Sequence, residues 1–388
     1  MRIGIEACTW GNLRGYGRFT RELVSVLIRR YPEHEFTLVV DSATAELCEF
    51  PQSATLQIVA TRQQQIQAAS ADSARSLGDM WRLSRSVARS KFDVFFFPTR
   101  YSFFPMTART PCVVAFHDAT GEQHPKLIFP SFRSRLFWRM KSWLARVQAH
   151  RMVTVSQDAR RQLAKVFHYR EDRIRVISEG PNPVFRVLDP PCDAEQVKAK
   201  WSLPLDKPII LYVGGISPHK NLDRLLRALA MTDGNWHAVL VGDYENDSFW
   251  GCYQELQELA RDLQLDGRLT FTGYIPDDDL AEIYNVASCL VLPSFSEGFG
   301  LPVVEAMACG LPVAASDRSS LPEVMGDAGL LFDPTQPEEM SAAIRRLMSD
   351  AELRRSSRQR GLERASYYTW ERGADELMAV LREVAGKG

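Results

Sequence analysis

The chain has 388 residues, enough for two domains at roughly 100–200 residues each. Its 45% hydrophobic and 24% charged residues are ordinary for a globular protein and exclude a disordered, collagen-like or coiled-coil chain. The net charge of -1 hides two unlike halves: residues 1–180 carry 27 Lys+Arg against 16 Asp+Glu (+11), and the rest balance to -12.

A basic first half is expected to face an anionic partner: a membrane surface, a phosphorylated substrate or nucleic acid. The last is disfavoured because no nucleic-acid-binding module is recognisable. No apolar run reaches the ~18 residues of a membrane span, and the start runs into a strand-like pattern without a leader-like core. Seven cysteines stand singly with no CxxC pair, which argues against a disulfide framework and a zinc site. The expectation is a soluble, cytoplasmic protein.

In chain order, strand-like and helix-like segments alternate, which predicts an α/β fold with parallel sheets. Ile3–Ala7 reads as a strand. The glycine loop 11–17, with Gly15 and Gly17, opens a helix bearing Phe19, Leu23, Val26 and Leu27 on one face. A dinucleotide-binding reading is weighed here, with Asp41 after the second strand as its ribose acid. The third glycine is missing, however, and Thr20 stands in its place.

Two segments concentrate positive charge. Residues 75–91 hold Arg75, Arg82, Arg85, Arg89 and Lys91 against Asp79. Residues 131–151 hold six basic residues and no acid. There Phe132, Leu136, Trp143 and Val147 recur near helical spacing, with Phe137, Trp138 and Met140 widening the apolar side. Such a helix either lies in an anionic membrane interface or turns its apolar side into a core, and pattern alone leaves both open. A proline-rich stretch, 181–208, reads as a hinge between two α/β domains, near 1–185 and 186–370.

The most specific pattern runs from Pro293 to Gly310. Glu297 and Glu305 bracket a glycine turn that follows an apolar strand and enters a helix, with Pro302 in its first turn. The amides of Phe299, Gly300 and Leu301 at that helix start suit a phosphate, and Glu305 suits vicinal ribose hydroxyls. The bland alternative is a capping box of Ser294 and Glu297 with a solvated Glu305. A second loop, Tyr212-Val213-Gly214-Gly215-Ile216-Ser217-Pro218-His219-Lys220-Asn221, places Lys220 to neutralise a diphosphate. His117-Asp118 closes a strand. Asp277-Asp278-Asp279 reads as the acidic first turn of a helix rather than a metal site, and no metal or cofactor is expected.

With these motifs the chain resembles the retaining, nucleotide-sugar-dependent glycosyltransferases of GT-B fold, family 4 (glycosyl transferases group 1), over nearly its full length. The resemblance implies two Rossmann-like domains facing each other across a cleft. It also implies a C-terminal helix (about 371–388), begun by Tyr368-Thr369-Trp370-Glu371, that completes the first domain. Glu297 would contact the donor sugar, Glu305 the ribose, His117 the sugar hydroxyls, and Tyr274-Ile275 would form the base-binding corner. Gly15, Gly17 and Arg18 would approach phosphate and acceptor. Many relatives carry an arginine where Gly215 stands here, leaving charge neutralisation to Lys220 alone or shared with Arg18.

Closure over the hinge would bring His117 towards Lys220 and Glu297. The implied reaction retains anomeric configuration without a covalent nucleophile and without metal. The donor is a nucleotide diphosphate sugar, with GDP-mannose preferred, and the acceptor a lipid-linked or polysaccharide intermediate. The alternatives are a nucleotide-sugar epimerase of the same fold and a non-catalytic nucleotide-sugar-binding protein.

Overall fold

A computed structural model describes residues 1–62, 76–107, 109–123, 125–129, 131–244 and 252–386. They form two compact units: residues 1–179 with 369–388, and residues 180–368. Arg75 lies outside the described residues. Among the described residues no helix is long and apolar enough to cross a membrane.

The first unit is built on a seven-stranded parallel sheet ordered β3-β2-β1-β4-β5-β6-β7. Its strands are β1 (Arg2–Glu6), β2 (Glu35–Asp41), β3 (Thr55–Val59), β4 (Val94–Phe97), β5 (Cys112–Ala115), β6 (Arg151–Thr154) and β7 (Ile174–Val176). The central strands are unbroken apolar runs because helices cover both faces; all four residues of β4 and of β5 are buried. The principal helices are α1 (Gly15–Arg30), α2 (Ser42–Leu47), α3 (Leu77–Arg89), α4 (Phe132–Gln148) and α5 (Gln157–Phe167). Leu83 and Val87 of α3, Ala145 of α4 and Leu163 of α5 share one core cluster with Phe95, Phe97, Phe103 and Phe104, so all three helices cover the same face.

The second unit carries a six-stranded parallel sheet ordered β10-β9-β8-β11-β12-β13. These strands are β8 (Ile209–Val213), β9 (His237–Val241), β10 (Leu269–Gly273), β11 (Cys289–Leu292), β12 (Val313–Ser316) and β13 (Leu330–Phe332). Its helices are α6 (Ala194–Lys200), α7 (Leu222–Ala230), α8 (Tyr253–Asp262), α9 (Asp277–Val286), α10 (Leu301–Ala308), α11 (Leu321–Met325), α12 (Pro337–Ser349) and α13 (Ala351–Ala365). Both units are therefore Rossmann-like. In each, the strand order reverses beside the first strand, between β1 and β4 and between β8 and β11. Loops leaving the carboxyl ends of those strands border a crevice that suits a ligand.

The last helix, α14 (Trp370–Ala385), belongs to the first unit, where it packs on α1. Ala374, Leu377, Met378 and Leu381 are wholly buried, and each large one is worth about 1.5–3 kcal/mol relative to exposure. Gly373 permits the approach, since a Cβ there would lie 2.2 Å from the Ser178 carbonyl oxygen. Thr369 caps the start, accepting from the Arg372 amide.

The proline-rich stretch 181–208 differs from the hinge expected of it. Much of it is folded onto the second unit. Phe185 and Leu203 are buried, Phe185 meets Tyr284 edge-on, and the Leu188 amide donates to Asn285. Proline density marked an irregular path with few backbone donors, not a free linker. The chain changes unit at 179/180 and again at 368/369.

Candidate active site

In the second unit, two loops at the carboxyl ends of β8 and β11 are tied together by polar contacts. Asn221 is fully buried in a left-handed conformation, and its amide donates to the carbonyls of Pro293 (3.0 Å) and Pro334 (2.8 Å). The Phe295 amide donates to the His219 carbonyl. Lys220 ends a short 3-10 turn, Pro218–Lys220, just ahead of α7. From there its ammonium reaches both Glu297 oxygens, at 2.8 and 2.9 Å. The two side chains are 17% and 13% exposed, so the pair is reachable but mostly desolvated.

Two serines just beyond β12 hold the turn after Glu297. Ser319 accepts from the Glu297 amide and donates to its carbonyl, and Ser320 donates to the Phe299 carbonyl at 2.7 Å. Gly300 has φ +109, which a side chain disfavours, and no side chain caps α10. The amides of Phe299, Gly300 and Leu301 therefore stand at an uncapped helix start, next to the Lys220–Glu297 pair.

The capping-box alternative does not form: Ser294 Oγ is buried without a partner. Glu305 is not a solvated helical residue either. It is 1% exposed, and the Tyr284 hydroxyl donates to it at 3.1 Å. Asp277–Asp279 open α9, and Asp279 is paired with Lys200.

Gly214 and Gly215 lie where β8 meets β9. A Cβ on Gly242 would come 2.0 Å from the Gly214 oxygen, so the chains approach too closely there for a side chain. Gly215, by contrast, has open space beyond its Cα. At the end of β10, Tyr274 is exposed and Ile275 buried. A cavity of about 500 Å³ lined by Pro208, Ser288, Pro312 and Arg358 lies at the amino ends of the strands, away from these loops.

In the first unit the corresponding loops carry different chemistry. His117 follows β5; its Nε2 donates to the Pro98 carbonyl at 2.9 Å, and Phe19 of α1 meets its ring edge-on. Its Nδ1 points towards Glu179 at 3.8 Å, beyond hydrogen-bond range. Burial holds its pKa below the usual 6.5, so the ring is neutral. Arg100, itself buried, donates to the Asp118 carbonyl and to Glu122, fixing the backbone next to His117.

Gly15 and Gly17 fall in the first turn of α1 rather than in a loop before it. A Cβ on Gly17 would lie 2.1 Å from the Asn12 oxygen, whereas Gly15 has no such neighbour. Arg18 lies half-buried one residue further on. Asp41 is committed to capping α2, accepting from the Thr44 amide and hydroxyl, so it is not placed as a ribose acid.

Glu179, Ser319, Ser320, Tyr284 and Arg100 were not singled out from sequence. Each is an isolated polar residue whose role depends on a partner distant in the chain. The one available signal was the polar run Asp317-Arg318-Ser319-Ser320 straight after a strand.

The descriptions "Glycosyltransferase Family 4" and "Glycosyl transferases group 1" match residues 13–184 and 193–364. The chain is 33% identical over 270 residues to O-antigen chain mannosyltransferase B of Escherichia coli, covering 67% of each chain. It is 31% identical over 245 residues to D-inositol 3-phosphate glycosyltransferase of Acidothermus cellulolyticus, covering 61% of this chain and about half (53%) of that one. Among solved structures, sucrose-phosphate synthase from Thermosynechococcus elongatus superposes with a TM-score of 0.77 at 19% identity, covering both chains fully. HepE of Anabaena, in complex with UDP and glucose, gives 0.75 at 21% identity, over 99% of this chain and 100% of that one. At these identities the superpositions speak to the fold alone, and the fold is GT-B.

Proposed function

Since the chain belongs to the GT-B glycosyltransferases of family 4, we propose that it moves a sugar, with retention of anomeric configuration, from a nucleotide diphosphate sugar to an acceptor hydroxyl. The observation that carries this reading is the Lys220–Glu297 pair beside the uncapped start of α10. A diphosphate leaving group gathers negative charge as the glycosidic bond breaks. The Lys220 ammonium and three preorientated amides stabilise it where that charge grows. The incoming diphosphate takes the Lys220 ammonium, and Glu297 is released to the donor sugar.

Glu305, its carboxylate fixed by Tyr284, serves the ribose, and Tyr274 and Ile275 flank the base. His117, kept neutral, exchanges hydrogen bonds with sugar hydroxyls without repelling an oxocarbenium-like centre. Gly15, Gly17 and Arg18 lie on the phosphate and acceptor side. No metal takes part. The departing phosphate removes the acceptor proton, which needs no further base.

The mannosyltransferase relative supports mannose as the sugar, and we take GDP as its carrier from the look of the segments Gly15–Phe19 and Ser217–Asn221. It also supports an acceptor in bacterial surface-glycan assembly; we place that acceptor on a lipid carrier at the anionic inner membrane face, with the enzyme on the cytoplasmic side. Thermal shifts with UDP, GDP, ADP, dTDP and their sugars, each with and without EDTA, test the donor. A ligand at ~100 times its Kd adds about 2.7 kcal/mol, several degrees for a domain of this size. Stabilisation by GDP and GDP-mannose alone, unchanged by EDTA, is expected. No shift from any nucleotide would favour a protein that does not bind donors. Donor turnover without acceptor would favour an epimerase.

A further inference from the structure

Helix α4 has two unlike sides. Trp138 and Lys141 face inward: the Trp138 indole donates to Glu122 at 2.8 Å, and Lys141 donates to the Tyr101 carbonyl. Ala145 enters the core. Phe132, Leu136, Met140, Trp143 and Val147 are instead between 49% and 72% exposed. At ~100° and 1.5 Å per residue these five fall in one stripe about 80° wide and roughly 22 Å long, opposite the inward side. The apolar side of this segment is thus an outer surface, not core. Trp138, counted with it by spacing, lies on the other side, and Lys141 and Arg151 are turned away from solvent, the latter paired with Glu383.

Basic residues edge the stripe. Arg133 and Arg139 are exposed, with no anionic partner among the described residues. Arg135 and Arg146 lie beside them, each donating to a backbone carbonyl. On the same face of the sheet, α3 exposes Leu77 and Trp81 one turn apart, with the Arg85 guanidinium 4.9 Å over the Trp81 ring. Trp81 and Trp143 are the two exposed tryptophans among the described residues, and both sit on these helices.

We propose that α3 and α4 together form a docking surface for an anionic lipid bilayer, with the α4 stripe lying in the plane of the interface. The inference rests on the reading of a membrane-borne acceptor and names the surface that meets it. Apolar and aromatic side chains enter the headgroup boundary while arginines meet lipid phosphates. A second copy of this chain fits less well, because a two-fold contact through the stripe sets arginines against arginines. Helix α4 is fixed from behind through Trp138, Lys141 and Ala145, so the stripe is presented by a rigid element and needs no folding on contact.

The test is sedimentation of the full chain with vesicles of phosphatidylcholine and phosphatidylglycerol in equal parts, against phosphatidylcholine alone. Binding to the anionic vesicles only, weakened by salt, is expected. The triple variant Phe132→Ser, Leu136→Ser, Trp143→Ser, and separately Arg133→Glu with Arg139→Glu, should each bind roughly tenfold or more weakly. Both should keep the wild-type melting temperature, since none of the five side chains is buried. Failure of the wild-type chain to bind, unchanged binding by the triple variant, or a dimer that the triple variant dissolves would each overturn the proposal. Nucleotide-sugar stabilisation, measured without vesicles on the same preparations, reports separately on the transferase reading and should be unaffected in both variants.

Discussion

The two units share one plan, a parallel sheet whose strand order reverses beside its first strand, yet they furnish that reversal with opposite chemistry. In the second unit it holds charge: an ammonium paired to a carboxylate, beside amides with no cap. In the first a neutral imidazole reaches over it from the loop after β5, buried against Phe19 and Pro98 and backed by a buried arginine. On the proposed function this contrast is a division of labour. Phosphate needs fixed positive potential, while sugar hydroxyls and a developing cation need neutral, directional partners.

Removing the charge should break that contrast most severely. Lys220→Ala is expected to lower kcat by about 10²–10³-fold, as loss of one preorganised charge or donor does, with a smaller effect on nucleotide affinity. Steady-state and single-turnover kinetics separate the two. An unchanged kcat would move diphosphate stabilisation elsewhere in the protein.

His117→Ala should come next, costing about 10²-fold in turnover with donor affinity nearly kept. Its sign with pH is fixed by burial. A lowered pKa keeps the ring neutral below the usual 6.5, so turnover should stay level through that value and fall only further into acid. Folding disfavours the protonated ring, so this residue contributes no cost above 6.5 and lowers stability as pH falls below it. His117→Gln should abolish that acidic limb; a limb that persisted would belong to another group.

Glu305→Ala sharpens the contrast from the other side. It should weaken nucleotide binding roughly tenfold while sparing kcat, and lower the melting temperature because the buried Tyr284 hydroxyl loses its acceptor, at about 1–3 kcal/mol. Glu305→Gln keeps an acceptor and should restore most of the stability, but not the affinity. Calorimetry with the free nucleoside diphosphate reads both.

The smallest effect is expected at Gly215. Its missing side chain would meet nothing within 4 Å, so Gly215→Arg should fold and add a second cation, improving donor affinity by a few-fold. No change would mean that Lys220 with the α10 amides already saturates the phosphate site.

Much of this was legible because the signals are local. A glycine turn between Glu297 and Glu305, a strand on one side and Pro302 on the other already specify a strand–turn–helix with free amides. Asn221 in the motif 212–221 had no role by pattern; only the fold reveals that it bonds to Pro293 and Pro334. Glu179 and Tyr284 carry no local pattern, and serines 319 and 320 only a polar run after a strand; the partners of all four are set by the fold. The stretch 181–208 misled for the same reason: proline reports on backbone, whereas Phe185 and Leu203 report on a neighbouring surface that spacing does not show.

By itself the sequence determined the alternation of strands and helices, the two-unit plan and the strand–loop–helix segments that carry Lys220, Glu297 and Glu305. Those depend on periodicity, backbone restriction and helix ends, which act within a few residues. Tertiary structure decided which side of each amphipathic element faces out. Residues 132–147 could pack either way by pattern; Trp138, Lys141 and Ala145 found partners beneath the helix, and the stripe opposite them was left at the surface. It also decided that Lys220 meets Glu297 across 77 positions, because an ion pair forms wherever the fold brings opposite charges within reach, and sequence distance does not enter that energy.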